Sequence, residues 1–428
     1  MSSESSSKPS IIVVAPAIEP TKGSESGKGW WWASALSRHF QLHIVTHRVS
    51  FEACQGQPIV AQDGWTFHVA KREILTWKFP IGYMRYAKLL EEMLGICRDV
   101  ITRFPIQGLC HVTLGSFRML PRYESLGIPY TLGPLGGGEC SPLGLSWSRP
   151  IPFKDRVTET LRPALNNSFA LVPALRSCLG SASLVLNTSP ETEAVVRRMG
   201  ARRTAVVFPD AYTKAIDVDG VSKRRALKVD QVKETIRLLW QGRPLWWKCP
   251  DLALRVVRAA LDRGVRVELT MISTWNPEFR KQIEAMVEKW ELGGRVHFAA
   301  GMARDEYLAV MDAAHGMIIP SLHDSGGIPL IEAQAAGIPC FTFGLGGHRL
   351  AACPEAGVSA SPYRVDDFVN RTVECLVKWQ QDPRVWLDEC EKAVRFSTHF
   401  TIGTMADDVQ RLIVPLFRGN AGASPASR

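Results

Sequence analysis

Two acidic residues flank a pair of glycines in the segment "HDSGGIPLIEAQAAG". Gly326 and Gly327 should close a loop, because the following helix is predicted to begin near Ile328 or Pro329, and proline is favoured at a first helical position. Backbone N–H groups at a helix start can hold a phosphate, since they lack intrahelical acceptors and the helix dipole favours negative charge. A tight strand-to-helix turn without a ligand is the alternative.

The acids add chemistry to this turn. Asp324 precedes Ser325 and the two glycines, and Glu332 is expected on the first turn of the helix, within reach of the same loop. Solvated charges are one explanation. Glu332 is flanked by apolar residues, however, and an acid in that setting needs a hydroxyl or a cation to bind.

A second segment, "WQGRPLWWK", ends another predicted strand and carries two cations. Arg243 would act as a fork and Lys248 as a point charge, and together they can neutralise a diphosphate leaving group. A solvated basic loop is the alternative when the pair is taken alone. Trp246 and Trp247 make the loop bulky, and they would either cover the diphosphate or pack between domains.

Two further glycine-rich stretches follow strands in the first half of the chain. "GSESGKGW" contains Gly23, Gly27 and Gly29, and "GPLGGGE" contains Gly137 and Gly138. We expect both stretches to be loops at strand ends, and tight turns without a ligand are the alternative. The polar residues beside them are further candidate contacts: Ser24, Glu25 and Glu139.

Short β-branched runs alternate with longer amphipathic stretches, which is typical of parallel strands with helical crossovers. The rhythm recurs after Lys233. We therefore expect an α/β fold with two Rossmann-like doubly wound domains. Ligands of such sheets bind outside the carboxyl ends of the strands, so the glycine-bearing loops of the two domains would face each other across a cleft.

The predicted domain limits follow from composition. The first domain covers 9–209 and is completed by a carboxyl-terminal helix over 395–418, a polar linker covers 210–232, and the second domain covers 233–394. The tails, 1–8 and 419–428, offer little apolar surface, so we expect them to be disordered.

Composition narrows the partners and the compartment. The chain has 428 residues, 46% of them hydrophobic, and a formal charge of +9. This charge suits an anionic partner. No basic run is interleaved with aromatic residues, so we expect that the partner is not a nucleic acid. No secretory signal and no membrane-spanning run is visible, which predicts a cytoplasmic protein. The ten cysteines lack metal-binding spacing, which predicts buried free thiols and no metal site.

Together these residues resemble the GT-B glycosyltransferases, in particular family 4 of the retaining sugar-nucleotide enzymes. The family's G-R-x-x-x-x-K appears as Gly242, Arg243 and Lys248, and its E-x7-E appears as Asp324 and Glu332, continued by "EAQAAGIP". "GSESGKGW", "HVTLGSFR" and "LGPLGGGE" resemble motifs of a subset of that family. The resemblance runs from about Ile11 to Phe417. Asp324 departs from it, because many relatives have Glu there.

The resemblance implies a role for each matched residue. Arg243 and Lys248 would contact the donor diphosphate, and Glu332 the ribose hydroxyls of the nucleotide. Asp324 would contact the donor sugar, and His111 would lie beside that sugar. Without the resemblance, His111 would be interpreted as a structural histidine. The remaining donor contacts would come from Gly242, Ser325, Gly326, Gly327, Gly27, Gly29, Gly137 and Gly138.

The implied reaction is transfer of a sugar from a nucleoside diphosphate sugar, UDP- or GDP-linked, to a hydroxyl acceptor with retention of configuration. The acceptor would be a polysaccharide, a lipid-linked molecule or a small molecule, and no metal or other cofactor is required. A sugar-nucleotide epimerase and a non-catalytic binding protein on the same fold are the alternatives. The basic segment "YMRYAKLLEEMLGICRDVITRF" suggests peripheral contact with an anionic membrane at its cytoplasmic face, and a solvated amphipathic helix is the alternative.

Overall fold

The computed structural model describes residues 8–21, 24–72, 81–211, 215–359 and 364–418. The predicted tails, except Lys8, and Gly23 lie outside the described residues. The chain divides into two compact units. The first unit comprises Met1–Gly138, Ala164–Ala211 and Phe400–Arg428, and the second comprises Glu139–Pro163 and Tyr212–His399.

The first unit is built on a seven-stranded parallel sheet with the order β3-β2-β1-β4-β5-β6-β7. The inner strands are buried over most of their length, as expected for a sheet covered on both faces. The strands are β1 Ser10–Val14, β2 Gln41–His47, β3 Thr66–Ala70, β4 Ile106–His111, β5 Tyr130–Leu135, β6 Leu184–Asn187 and β7 Thr204–Val206.

Helices cross between these strands, and the carboxyl-terminal end of the chain supplies two more. They are α1 Ser24–Ser37, α2 Arg48–Cys54, α3 Pro58–Gln62, α4 Ile81–Arg103, α5 Leu143–Trp147, α6 Phe153–Ser168, α7 Pro173–Ser181, α8 Pro190–Arg198, α18 Ile402–Leu412 and α19 Val414–Arg418. Of these, α5 and the part of α6 up to Pro163 belong to the second unit. In the first unit, Phe417 of α19 packs over Gly108 of β4, where a Cβ would lie 2.4 Å from its ring.

Helix α4 contains the basic segment considered for membrane contact. Its apolar face, from Tyr86 to Val100, is buried in the core of the first unit. Exposed apolar side chains are confined to its first turn, at Ile81, Tyr83 and Met84. Among the described helices, none combines the length and the apolar character that a membrane crossing requires. Membrane contact therefore stays a hypothesis that depends on one helical turn.

The second unit has a six-stranded parallel sheet with the order β10-β9-β8-β11-β12-β13. Its strands are β8 Ile236–Gln241, β9 Val267–Ile272, β10 Val296–Ala299, β11 Gly316–Ile318, β12 Cys340–Thr342 and β13 Gly357–Ser359. Its further helices are α9 Val218–Ala226, α10 Val229–Glu234, α11 Pro250–Asp262, α12 Pro277–Lys289, α13 Arg304–Ala313, α14 Ile328–Ala335, α15 His348–Ala351, α16 Val365–Gln381 and α17 Pro383–Ser397.

The segment predicted to be a linker, 210–232, has helical structure in its described part. Helix α9 is held by the buried side chain of Arg225, which donates to the carbonyls of Ala314 and Ala336 at 2.9 and 2.8 Å. The sequence looks irregular there because α9 is short, and because the contacts that stabilise it come from residues about 90 to 110 positions away.

A second difference concerns residues 139–163, which lie inside the predicted first domain but pack with the second unit. Leu145 and Ile151 join the core cluster of the second unit. The sequence periodicity cannot show that residues 139–163 belong to the second unit, because α5 and α6 would have the same apolar pattern on either unit.

The strand order reverses beside the first strand of each sheet, between β1 and β4 and between β8 and β11. Such switch points open a crevice at the carboxyl ends of the strands. The α/β class and the two doubly wound sheets are confirmed. All ten cysteines are free thiols and eight are buried, as predicted.

The stretch "GSESGKGW" shows a difference from the predicted loop, because Gly27 and Gly29 lie inside α1. At Gly29 a Cβ would lie 2.2 Å from the carbonyl oxygen of Ala17 and 2.9 Å from Cγ2 of Thr113. The glycine therefore allows α1 to approach the ends of β1 and β4, which is a packing reason rather than a turn.

We expect Gly29→Ala to lower the free energy of unfolding by roughly 1–3 kcal/mol, because the backbone of the loop after β1 must shift. Gly95→Ala is the matched control: a Cβ there meets nothing within 4 Å, and alanine in a helix interior should stabilise by about 0.5–1 kcal/mol. Thermal unfolding of both variants checks the pair. Equal midpoints for both would contradict the close approach.

Candidate functional site

The predicted cations and acids of the second unit meet at the switch point between β8 and β11. The segment Gly242–Lys248 follows β8 and ends in a 3₁₀ turn at Trp246–Lys248. The segment from Pro320 to Gly327 follows β11 and leads into α14. A backbone hydrogen bond of 2.8 Å, from the Leu322 N–H to the Trp247 carbonyl, joins the two loops. Topology thus brings together residues that are about eighty positions apart in the sequence.

Helix α14 begins at Ile328 with Pro329 in its first turn, as predicted. Gly327 is its N-cap, and no side chain caps the helix. Within the described part of the chain, the N–H groups of Gly326 and Gly327 donate to no acceptor. These groups and the helix dipole form a site suited to an anion.

Asp324 is the centre of a three-residue polar cluster. Its carboxylate pairs with the Lys248 ammonium, and its Oδ2 lies 3.4 Å from Nε2 of the buried His348. Burial raises the pKa of the Asp324 carboxyl, but Lys248 and His348 outweigh it and hold that pKa well below its usual range. Asp324 is therefore an anion at neutral pH, and Lys248 is the cation that compensates it.

The indole of Trp247 lies against both predicted cations. The Lys248 Nζ is 4.5 Å and the Arg243 Cζ 5.6 Å from the centroid of this ring, which is within the range of cation–π attraction. Arg243 is exposed, and its guanidinium has no ion pair among the described residues. Trp246 instead lies in the core of the second unit, 4.9 Å from Phe279. Both tryptophans thus pack within this unit.

His323 supports Trp247 from behind the loop. The two rings stack with centroids 4.5 Å apart, and the His323 Nε2 lies 3.0 Å from a carboxylate oxygen of Glu159. Burial raises the pKa of the Glu159 carboxyl, but the His323 hydrogen bond and neighbouring charges bring it below the usual value. Glu159 lies on α6, so the segment 139–163 contributes directly to this wall of the site.

Glu332 lies in the second turn of α14, one turn beyond the predicted position. It receives the Arg304 guanidinium at 2.6 Å, and the Tyr307 hydroxyl lies 3.2 Å from its other oxygen and 2.7 Å from Gln241. The carboxylate is thus held by α13 beside the end of β8. Its side chain is 14% exposed, so it remains reachable by a ligand.

The glycine-rich loop after β12 packs on the Asp324 turn. The Gly347 N–H donates to the Asp324 carbonyl at 2.7 Å, and a Cβ on Gly347 would lie 2.6 Å from the Ser325 oxygen. Gly346 takes φ +59°, where a Cβ would lie 2.4 Å from the Asp324 oxygen. This close approach, which only glycine permits, places His348 beside Asp324.

Gly242 has a comparable role in the loop after β8. Its N–H donates to the Ile272 carbonyl at 3.2 Å, and a Cβ would come within 3.0 Å of the Trp240 ring. It therefore lets the chain turn towards Lys248. At the end of the loop Cys249 takes φ +53°.

A buried ion pair anchors the cationic loop from below. Arg149, between α5 and α6, donates to both oxygens of Asp251 on α11 and to the Trp246 carbonyl at 2.7 Å. Neither side chain of the pair is exposed. The bidentate geometry connects the segment 139–163, the 3₁₀ turn and α11 in one contact.

The first unit places His111 at the end of β4, at its own switch point. The ring is fully buried, with Nδ1 2.6 Å from the Tyr123 hydroxyl, and Nε2 has no hydrogen-bond partner among the described residues. Burial lowers the pKa of His111 to about 4, so the imidazole is neutral at pH 7. A neutral ring can donate or accept a hydrogen bond but carries no charge to a ligand.

Two other predicted elements lie in the first unit. Glu25 pairs with Lys28 at 2.6 Å and accepts the Leu114 N–H at 2.9 Å, which joins α1 to the loop after β4. After β5, Gly137 takes φ +100° and Gly138 donates to the Thr192 hydroxyl at 3.1 Å.

Several residues of the site carried no usable sequence signal. Arg304 and Tyr307 contact Glu332 only because α13 packs beside α14, and Glu159 reaches His323 only through the fold. His348 had a signal, because it directly follows a glycine pair at a strand end, but a lone histidine there reads as structural. Within the described residues, no group of three or more His, Cys, Asp or Glu side chains is arranged to hold a metal ion.

Comparison with known proteins finds a family match for part of the chain. Residues 224–385 match the family model described as "Glycosyl transferases group 1". The match contains every site residue of the second unit from Gly242 to His348. Over 196 residues the chain is 29% identical to the D-inositol 3-phosphate glycosyltransferase of Rhodococcus jostii, covering 44% of this chain and 43% of the relative. The chain thus spans less than half the length of the first curated relatives it matches.

Solved structures share the architecture over almost the whole chain. Sucrose-phosphate synthase from Thermosynechococcus elongatus superposes with a TM-score of 0.62 at 17% identity, covering 96% of this chain and 100% of that one. Anabaena Alr3699/HepE, solved in complex with UDP and glucose, superposes with a TM-score of 0.58 at 14% identity, covering 95% and 100%. The fold is therefore the α/β, two-sheet GT-B architecture.

We expect loss of one member of the Arg149–Asp251 pair to destabilise the second unit more than loss of both. Arg149→Met alone should destabilise the second unit by about 3–5 kcal/mol, because Asp251 is left buried and unpaired. Arg149→Met with Asp251→Leu should recover more than half of this loss, since neither charge is then buried. Thermal unfolding of the single and double variants measures the difference. A double variant no more stable than the single one would show that packing, not charge pairing, holds the segment.

Proposed function

We propose that this protein is a retaining GT-B glycosyltransferase of family 4, which transfers a sugar from a nucleoside diphosphate sugar to a hydroxyl acceptor. The observation that carries the proposal is the convergence at one switch point, inside the segment matching the family model, of Arg243, Lys248, the uncapped start of α14 and Glu332. Each of these groups suits one part of a nucleoside diphosphate sugar.

The diphosphate is bound by the positive groups. Lys248 and Arg243, on the Trp247 face, neutralise its charge, and the N–H groups of Gly326 and Gly327 donate to its oxygens. These donors stabilise the negative charge that develops on the diphosphate as the bond to the sugar breaks, which is where electrostatic stabilisation lowers the barrier. No metal or other cofactor is required in this proposal.

The remaining polar groups orient the nucleoside and the sugar. Glu332, held by Tyr307 and Arg304, accepts hydrogen bonds from the ribose hydroxyls, since a carboxylate suits a vicinal diol. Asp324 accepts from a hydroxyl of the donor sugar. For the first unit, donor contact by His111, Gly27, Gly29, Gly137 and Gly138 stays a prediction from the sequence, and Gly27 and Gly29 lie inside α1 rather than in a loop.

Retention follows if the acceptor attacks from the face that the diphosphate leaves. The departing diphosphate then takes the acceptor proton, while the protein stabilises an oxocarbenium-like transition state. For the donor we propose a UDP or GDP sugar, and the UDP and glucose bound by Alr3699/HepE support the former. For the acceptor we propose a hydroxyl compound, as D-inositol 3-phosphate is in the name of a relative.

A nucleotide panel and a product assay test this function. UDP, GDP and ADP sugars at about 100 times their dissociation constant should stabilise the protein by roughly 2.7 kcal/mol if they bind only the native state. Incubation of the stabilising donor, labelled in the sugar, should release nucleoside diphosphate by slow hydrolysis or by transfer. Rearranged sugar nucleotide would instead indicate an epimerase. Binding without turnover, with or without cell extract as acceptor source, would indicate a non-catalytic protein.

The Lys248–Asp324 pair predicts substitutions of opposite sign. Lys248→Ala should weaken UDP binding roughly tenfold to a hundredfold, because a charge-assisted contact is worth about 1.5–3 kcal/mol. Asp324→Asn should tighten UDP binding several-fold, since it frees the Lys248 ammonium for the diphosphate, and should lower donor turnover. Isothermal titration of both variants measures the two shifts.

Lys281→Ala, which removes an exposed lysine of α12, is the control for a loss of net positive charge. It should leave the UDP dissociation constant within twofold of wild type. If Asp324→Asn and Lys248→Ala both weakened UDP binding to the same degree, the pair would be a structural ion pair and Lys248 would not be the diphosphate ligand.

A further inference from the structure

His348 is a buried polar residue beside the site to which no role has yet been given. It is 2% exposed and begins α15, directly after the glycines that pack on the Asp324 turn. One ring nitrogen, Nε2, lies 3.4 Å from Asp324 Oδ2, and the other, Nδ1, lies 3.2 Å from the Thr342 hydroxyl. The ring therefore bridges the end of β12 and the acid of the donor site.

The partners of the ring determine which nitrogen carries the proton. Asp324 is ionised, so its oxygens only accept, and the Nε2 that faces them must be the donor. The Thr342 hydroxyl, which also accepts the Gly344 N–H at 3.3 Å, is the hydrogen-bond partner of Nδ1. These contacts place a proton on Nε2, facing the Asp324 carboxylate.

Among the described residues, two loops hold Asp324 at three points. Lys248 and His348 both contact its carboxylate, and the Gly347 N–H binds its carbonyl at 2.7 Å. If Lys248 turns to the diphosphate when a donor binds, the Lys248 contact is lost at the moment when Asp324 has to meet the sugar. The contacts from the loop after β12 then remain.

We propose that His348 is the positioning residue for Asp324: the Thr342–His348 pair holds the carboxylate in the orientation that meets the donor sugar when Lys248 binds the diphosphate. The proposal rests on the proposed function for what Asp324 binds. It makes His348 a determinant of sugar recognition that does not itself touch the donor, and it separates recognition of the sugar from recognition of the nucleotide.

A pair of substitutions distinguishes positioning from packing. His348→Phe keeps the ring and loses the donor, whereas His348→Gln keeps an N–H donor near the position of Nε2. His315→Gln is the matched control, because His315 is also buried in the second unit. It lies just before β11, at the amino-terminal ends of the strands, where it accepts the Arg237 backbone N–H at 3.0 Å.

The readout is the ratio of the dissociation constants for UDP and UDP-glucose, measured by titration, which requires no acceptor. His348→Phe should change the UDP constant by less than about threefold and weaken UDP-glucose binding about tenfold, so the ratio falls. His348→Gln should restore most of the ratio. His315→Gln should lower thermal stability and leave the ratio unchanged.

A spectroscopic measurement tests the geometry without any ligand. Two-bond ¹H–¹⁵N correlation spectra of the wild-type protein, with His348 assigned from the His348→Gln variant, should show a proton on Nε2. A proton on Nδ1 alone would overturn the proposal even if the protein is a glycosyltransferase. An unchanged ratio in His348→Phe would also overturn it. Failure of the wild-type protein to bind either nucleotide would count against UDP as the donor nucleotide, and the tautomer result would then decide whether the Thr342–His348–Asp324 contact exists.

Discussion

The buried pair of Arg149 and Asp251 is the contact on which the geometry of the second unit depends. Both charges lie out of water, where an unpaired ion is costly, so the two side chains must stay together. The same guanidinium binds the Trp246 carbonyl, which ties the 3₁₀ turn to α11 and to the segment 139–163. That segment also brings Glu159 to His323, and His323 stacks on the indole that lies under Lys248 and Arg243. A structural ion pair is thus connected to the two cations of the candidate site.

The site itself is organised by opposed charges rather than by a collection of cations. Lys248 is matched by Asp324, and Arg304 by Glu332, which leaves Arg243 as the cation of the candidate site without an ion pair among the described residues. In the proposed function an anionic donor competes with Asp324 for Lys248, which favours a ligand that offers Asp324 a new partner. A sugar hydroxyl next to a diphosphate is such a ligand, whereas a bare diphosphate is not. Aromatic rings and close glycine contacts hold these charges in place, because a displacement of an ångström would pair them wrongly.

Sequence reasoning was most successful where a residue's neighbours in the chain determine its role. The start of α14 at Ile328 and the glycine turn before it were predicted from proline and glycine alone, and the two sheets from alternation of strands and helices. It was less successful where the contacts that determine a residue's role come from distant parts of the chain. Gly27 and Gly29 looked like loop glycines, yet both lie inside α1. Position 29 suits glycine because the Ala17 carbonyl leaves no room for a Cβ. Residues 139–163 looked like part of the first domain. Their apolar side chains nevertheless pack in the core of the second unit, and Arg149 pairs with Asp251 of that unit.

The sequence by itself determined the class of fold and the identity of the ionisable groups at the switch point of the second sheet, Arg243, Lys248, Asp324 and Glu332. Local patterns suffice for this, because a strand, a glycine turn and a helix start are each encoded within about ten residues. Only the tertiary structure decided which groups pair: Lys248 with Asp324, His348 behind Asp324, and Tyr307 with Glu332. The physical reason is that a hydrogen bond acts over about 3 Å, and only the packing of β8, β11 and β12 side by side brings segments far apart in the chain within that distance.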